Sequence, residues 1–234
     1  MNQIKTKTVR EIVTENFLAS NIFNRYSIDF FGKGDTTLAE ACQKQALNVS
    51  NIEQEIQGTK QIRTHNFNNW EIDYLIDYIL NNHHYYIWVN LPVIKEYTLK
   101  VSRVQGSKYP VAIEVNRLFK ELASELEHHL LFEEQQLFPY IKELVFSNRE
   151  SKVNPLGDTL LALSAGKTEH EYLTAKLKVI VTLLEESELV KIPETMTVVL
   201  LFKIKAFQKD LEQHIHLENN ILFPKASKLE KEFA

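Results

Sequence analysis

His129-Leu-Leu-Phe-Glu133-Glu-Gln-Gln-Leu-Phe-Pro139 returns 85 residues later as His214-Ile-His-Leu-Glu218-Asn-Asn-Ile-Leu-Phe-Pro224. The shared core is His-x-x-x-Glu. On an α-helix four residues turn the chain by about 400°, so His and Glu stand one turn apart on the same face, within reach of a common ion. One such pair, met alone, reads as a solvated i,i+4 contact. Its repetition, with a proline ten residues after each histidine and matching apolar positions around it, points to one helix type used twice. Two such pairs can hold two metals.

Working outward, the composition suits a packed helical protein. Of 234 residues, 44% are hydrophobic, only six are Gly and six Pro, and apolar positions recur at helical spacing, so the fold class is all-α. Lys and Arg total 27 against 31 Asp and Glu, a net charge of -4, and no basic cluster is long enough to follow a phosphate backbone, which argues against nucleic acid as a partner. Charges run through the first 30 residues and no segment holds 18 apolar residues in a row, so neither export nor a membrane span is indicated and a cytoplasmic protein is expected. The single Cys42 fits a reducing compartment and excludes a disulfide framework or a thiolate-only metal site. Nucleophilic hydrolysis has no support either: there is no Gly-x-Ser-x-Gly and no phosphate-cradling glycine loop.

Residues 1–62 read as a small helical N-terminal domain. Val9, Ile12, Val13 and Phe17 form one apolar stripe, and Ser27 to Asp35 breaks the pattern with Gly32 and Gly34. Thr37-Leu-Ala-Glu40 is a capping box opening a helix to about Asn48. A third short helix spans about Ser50 to Gly58, and Gly58-Thr-Lys is expected to be a linker. Residues 63–234 then hold four long helices. Asn68 or Asn69 caps the first, Trp70 to about Val104, with Pro92 expected to kink it. Gly106 to Pro110 is a turn. The second runs from Val111 to about Phe146, the third follows a loop at 147–155 and ends near Glu186, and the fourth starts at Lys191-Ile-Pro193 and reaches about Lys228. Long helices joined by short connections imply an up-down-up-down four-helix bundle.

In such a bundle His84, in the first helix, comes nearly level with His129 in the second, and His170 does so more roughly with His214. Repeat arithmetic supports the same set: from 84 to 170 is 86 residues, from 129 to 214 is 85, and from 133 to 218 is 85. The candidate metal ligands are therefore His84, His129, Glu133, His170, His214 and Glu218, a duplicated hairpin of three ligands each. Four imidazoles and two carboxylates suit a pair of redox-active first-row ions, since carboxylates bridge metals and imidazole binds iron well. Structural zinc is usually held by four ligands including Cys, which this chain does not supply. Of the other histidines, His65 is expected to be exposed, and His83, His128 and His216 to be solvated or at helix interfaces; only the spacing separates His84 from His83. Glu125, one turn before His129, and Glu169, beside His170, read as surface charges or as groups orienting imidazoles.

These residues, with both Leu-Phe-Pro endings and the Leu-Glu-Asn-Asn after His216, resemble the hemerythrin-like iron-sulfur cluster repair di-iron proteins, the RIC family of YtfE and ScdA type, over nearly the full chain. The resemblance implies a hemerythrin-like bundle behind a small N-terminal domain, and two non-haem iron ions held by the six ligands and bridged by the glutamates. It also implies a cytoplasmic, homodimeric protein that restores iron-sulfur proteins damaged by oxidants or nitric oxide, by supplying iron or handling nitric oxide. One departure stands out. That family carries a Cys-Cys pair in the segment resembling Tyr26 to Cys42, and here Phe31 and Gly32 stand in its place, so thiol chemistry at that pair is not expected. A hemerythrin-like binder or sensor of dioxygen or nitric oxide without repair activity is the alternative. Ordinary hemerythrins place His-x-x-x-His on the third helix, whereas His170 is followed four residues on by Thr174. Ferritin-like oxidases use Glu-x-x-His, and both copies here run His first with spacing four.

Overall fold

The computed structural model describes residues 4–15, 19–30, 34–59, 66–146, 159–191 and 195–233. Among them there is no β-strand, in keeping with the all-α expectation; the sole sheet-like feature is an isolated bridge between Thr8 and Thr37. The chain divides into two compact units, Met1–Glu71 with His216–Pro224, and Ile72–Ile215 with Lys225–Ala234.

The first unit is built from α1 (Val9–Glu15), α2 (Ala19–Arg25), α3 (Leu38–Lys44) and α4 (Val49–Thr59). The stripe of Val9, Ile12 and Val13 is buried against Ile22, Phe23, Leu38, Cys42, Ile52 and Ile56, so the 3-to-4 spacing does set the core face; Phe17 lies outside the described residues. Thr37 caps α3 as read from sequence: its hydroxyl accepts the Glu40 N–H, and the Glu40 carboxylate accepts the Thr37 N–H at 3.0 Å. The glycine-bearing loop returns against α1 through Arg10 N–H to the Gly34 carbonyl, 2.9 Å. A Cβ at Gly34 would stand 2.9 Å from Arg10 Nε and 3.0 Å from the Phe30 carbonyl oxygen, so a larger residue there would make the Arg10 side chain and the loop backbone shift. Phe31, Gly32 and Lys60 lie outside the described residues. Gly58 and Thr59 complete the last turn of α4 rather than forming a linker.

The second unit is a bundle of four helical rods. The first is α5 (Ile72–Tyr78), a π turn (Ile79–His84) and α6 (Tyr85–Gln105). The second is α7 (Val111–Phe132), a π turn (Glu133–Leu137) and α8 (Phe138–Phe146). The third is α9 (Thr159–Glu186). The fourth is α10 (Thr195–Leu217), a π turn (Glu218–Leu222) and α11 (Phe223–Phe233), the stretch His216–Pro224 of this rod being counted with the first unit. α6 packs on α7 and α7 on α9. Phe119 of α7 and Tyr86 of α6 both meet the fully buried Phe207 of α10, at centroid distances of 6.2 and 6.4 Å. The second rod starts at Val111, where the apolar spacing predicted, and is helical as far as Phe146, the last residue described before 159. The first starts later: Phe67–Asn69 is a 3₁₀ turn, and α5 opens at Ile72 instead of at an Asn cap. Helix α6 runs on through Pro92. The loop at 147–155 and the start of the fourth rod at 192–194 lie outside the described residues.

Candidate metal centre

Three of the four rods change their helical winding at a candidate ligand. His84 ends the π turn of the first rod, and Glu133 and Glu218 open those of the second and fourth. A π turn takes its hydrogen bonds five residues back and appears mostly as a single widened turn, often at functional sites. In the first rod the side-chain amides of Asn81 and Asn82 donate back to the Asp77 and Tyr78 carbonyls, at 2.7 and 2.8 Å, supplying partners to backbone groups where the α ladder is interrupted. His129 and His214 sit on regular α turns one turn before their glutamates, and His170 on the uninterrupted α9.

All six are buried, with His129 the most exposed at 5% and His214 and Glu218 at 0%. They form two groups, His84, Glu133, His214 and Glu218, and His129, Glu133, His170 and Glu218, and within each group the candidate donor atoms lie within 4.8 Å of one another. Both glutamates belong to both groups. The groups also match in shape: the His84 and His214 rings meet edge to face at 4.7 Å, and those of His129 and His170 at 4.6 Å. Their Nε2 atoms approach to 3.1 Å and 2.8 Å. One Glu133 oxygen stands 3.5 Å from His84 Nε2 and the other 3.4 Å from His129 Nε2, so this carboxylate faces both groups at once.

The outer nitrogens explain what the inner ones offer. His84 Nδ1 lies 2.9 Å from Glu134 Oε1, which also accepts the Trp88 indole N–H at 2.8 Å. His129 Nδ1 lies 2.8 Å from Glu169 Oε2. The bond from His84 holds the Glu134 carboxyl below the ordinary carboxylate range, and that from His129 does the same for Glu169. An ionised carboxylate only accepts, so each Nδ1 carries the proton and each Nε2 turns a lone pair inward. Those lone pairs lie 3.1 and 2.8 Å from the Nε2 atoms of His214 and His170 and beside two buried carboxylates, a set of inward-facing donor atoms that cations would compensate. The donor set fits two first-row metal ions, with oxygen and nitrogen ligands and no thiolate.

The other candidates separate clearly. Glu169 orients His129, whereas Glu125 turns to the surface and accepts from Lys176 Nζ at 3.0 Å and from the Tyr172 hydroxyl at 3.1 Å. His128 is exposed. His83 takes the helix-interface place, not the solvated one: it is 3% exposed, its Nδ1 lies 3.1 Å from Asp210 Oδ1 on α10, and it belongs to neither donor group although its ring stacks on that of His214 at 6.1 Å. His216 is buried too, with Nδ1 accepting the Asn220 amide at 2.8 Å; burial, with Arg10 adding to it, pushes its pKa down to about 3. His65 lies outside the described residues. Sequence reasoning missed Glu134. The signal available was the Glu133-Glu134 doublet, whose second member is adjacent to the ligand face only if the helix widens there.

Two family descriptions match the chain: ScdA_N, a domain of unknown function (DUF542), over residues 5–60, and the hemerythrin HHE cation binding domain over residues 75–226. Among similar proteins, the iron-sulfur cluster repair protein ScdA of Staphylococcus haemolyticus is 25% identical, covering 94% of this chain and 97% of its own length. A probable iron-sulfur cluster repair protein of Haemophilus influenzae is 29% identical over 88% of this chain and 90% of its own. The iron-sulfur cluster repair protein YtfE of Yersinia pseudotuberculosis is 28% identical over 89% and 90%. With the matched residues enclosing all six clustered side chains and more than half of the chain, this protein belongs to the hemerythrin HHE cation-binding family.

Proposed function

We propose that the protein is a di-iron protein that takes part in repairing iron-sulfur clusters damaged by oxidative or nitrosative stress. The observation that carries the reading is the sharing of one buried pair of glutamates by two histidine pairs. Such sharing suits two ions held side by side, and the relatives described as repair proteins supply the biological direction. In this reading His84 and His214 would hold one iron and His129 and His170 the other, with the Glu133 and Glu218 carboxylates available to both. Glu134 and Glu169 fix the ring orientation and tautomer of His84 and His129. Bound iron would supply redox chemistry toward small diatomics such as nitric oxide and dioxygen, and a store of metal for a damaged iron-sulfur protein. The layout is a small helical domain at 1–62 and the metal-binding bundle at 63–234, in a cytoplasmic homodimer. No helix among the described residues is long and apolar enough to cross a membrane. The chain's single thiol, Cys42, is buried in the core of the first unit, so repair here proceeds without a cysteine pair.

The test is iron per chain in the purified protein, with recovery of a nitric-oxide-damaged cluster enzyme in its presence and absence. Two irons and recovery are expected, and Glu133→Ala or Glu218→Ala should release one or both ions. Zinc alone, or no recovery at stoichiometric protein, would overturn the reading. Metal content unchanged in both variants would refute the roles of the shared glutamates.

A further inference from the structure

Pro139 and Pro224 each stand six residues after a glutamate that opens a π turn. A proline has no N–H to give the carbonyl four residues back, here Gln135 or Asn220, and its ring collides with that carbonyl in a regular α-helix. Widening the turn ahead of it relieves the conflict. The register shift is recorded in the backbone: the Phe138 N–H bonds to the Glu133 carbonyl and the Phe223 N–H to the Glu218 carbonyl, five residues back in each case.

We propose that Pro139 and Pro224 are positioning residues for the two shared glutamates, holding open the π turns that present Glu133 and Glu218 to both metal groups. The inference rests on the metal-binding reading above. Three observations carry it. First, neither proline fills the core: both are exposed, so their contribution is made through the backbone. Second, the turn at Glu133 does what an α turn does not. Successive residues of an α-helix point about 100° apart, yet Glu133 and Glu134 reach opposite nitrogens of one imidazole, at 3.5 Å from His84 Nε2 and 2.9 Å from His84 Nδ1. Third, the widened turn also sets Phe138 against that ring, with centroids 5.5 Å apart. Pro92 provides the contrast within the chain. It is likewise exposed and inside a helix, but no π turn opens six residues before it, at Tyr86; the π turn of that rod, Ile79–His84, presents a histidine and has Tyr85 at the sixth position, so the prolines accompany only the turns that open at a shared glutamate.

The experiment compares full-length Pro139→Ala, Pro224→Ala, the double variant and Pro92→Ala with the wild type. Three quantities are measured: the thermal midpoint of the metal-free protein, iron retained per chain, and the rate of iron release to a chelator followed by the near-ultraviolet absorption of the loaded protein. Alanine is the best helix former and proline the worst, so the metal-free midpoints should stay or rise. Iron release should quicken by about 10–100-fold in the double variant, the range typical of losing an outer support of a metal ligand. Pro92→Ala should release iron as the wild type does. Unchanged release in the double variant would overturn the proposal. So would an iron loss matched by a fall in the metal-free midpoint, which marks the prolines as merely structural, or an equal loss in Pro92→Ala. A wild-type protein that fails to hold two irons would instead overturn the metal reading, before any variant is compared.

Discussion

Glu134→Ala should weaken iron binding more than Glu169→Ala, and from a different group. Both carboxylates accept a proton-bearing Nδ1 from a candidate ligand, so deletion of either frees a ring to rotate or switch tautomer. Loss of such an outer partner costs about 10–100-fold in metal affinity, or about 1.4–2.7 kcal/mol. Their settings place them at opposite ends of that range. Glu134 has 29% of its side chain exposed and takes two donors, His84 at 2.9 Å and Trp88 at 2.8 Å. Glu169 has 58% exposed and takes one at 2.8 Å, so solvent screens its charge and water replaces it readily. Glu134→Ala is therefore expected near the hundredfold end, with iron lost first from the His84 and His214 group. The metal-free protein should also lose about 1 kcal/mol, because the Trp88 N–H gives up an acceptor in a half-buried place. Glu169→Ala should sit near tenfold, with loss from the His129 and His170 group and little change in metal-free stability. Glu134→Gln, which keeps an acceptor for Trp88 but not the charge, should restore the stability and only part of the affinity. Chelator competition gives the affinities and urea unfolding the stabilities. An equal or larger effect of Glu169→Ala on affinity would refute the assignment of these carboxylates by burial and donor number.

Cys42, 1% exposed and with burial pushing its thiol above the ordinary range, should resist alkylation at pH 8 in the native protein and react at once in denaturant; Cys42→Ala should leave iron binding and cluster repair intact. Thr37→Ala removes the α3 cap and should cost the first unit about 1 kcal/mol, read by thermal unfolding. The same box carries a pH dependence. Bonds from the Thr37 backbone and hydroxyl hold the Glu40 carboxyl below its ordinary value, so its contribution is complete above the unfolded pKa and lost as pH falls through the lower folded one. Acid titration of the wild type and Glu40→Gln should therefore differ in slope only on the acid side, and parallel curves would remove Glu40 from the account.

Much of this architecture was legible because it rests on periodic signals. The apolar stripe of α1, the capping box of α3 and the second rod from Val111 to Phe146 all follow from spacing and short-range hydrogen bonding, which operate before any tertiary contact forms. The six clustered residues were reached through the duplication, since a fixed offset of 85 or 86 residues selects His84 over its neighbour His83 without any structure. What spacing left undetermined is what the buried neighbours do. His83 and His216 carry no periodic mark that separates a buried imidazole from a solvated one; their places depend on Asp210 and Asn220 reaching them.

The π turns were hidden for a different reason. Hydrophobic periodicity averages over three or four turns, and a single extra residue in one turn shifts the pattern by less than the width of the apolar face. Both Leu-Phe-Pro endings were visible as a repeat, yet a proline near a helix end is ordinarily read as a stop. The chain instead continues as helix for nine residues in α8 and eleven in α11. In each of these rods the conflict caused by the missing N–H is absorbed in the widened turn opening at the glutamate. A helix carrying one His-x-x-x-Glu needs its histidine and carboxylate on one face for one ion. A helix whose carboxylate serves two ions must also free that carboxylate from the next turn of backbone and side chains, and a π turn starting at the glutamate does this. The two prolines thus link the most readable feature of the sequence, its duplication, to the least readable feature of the fold.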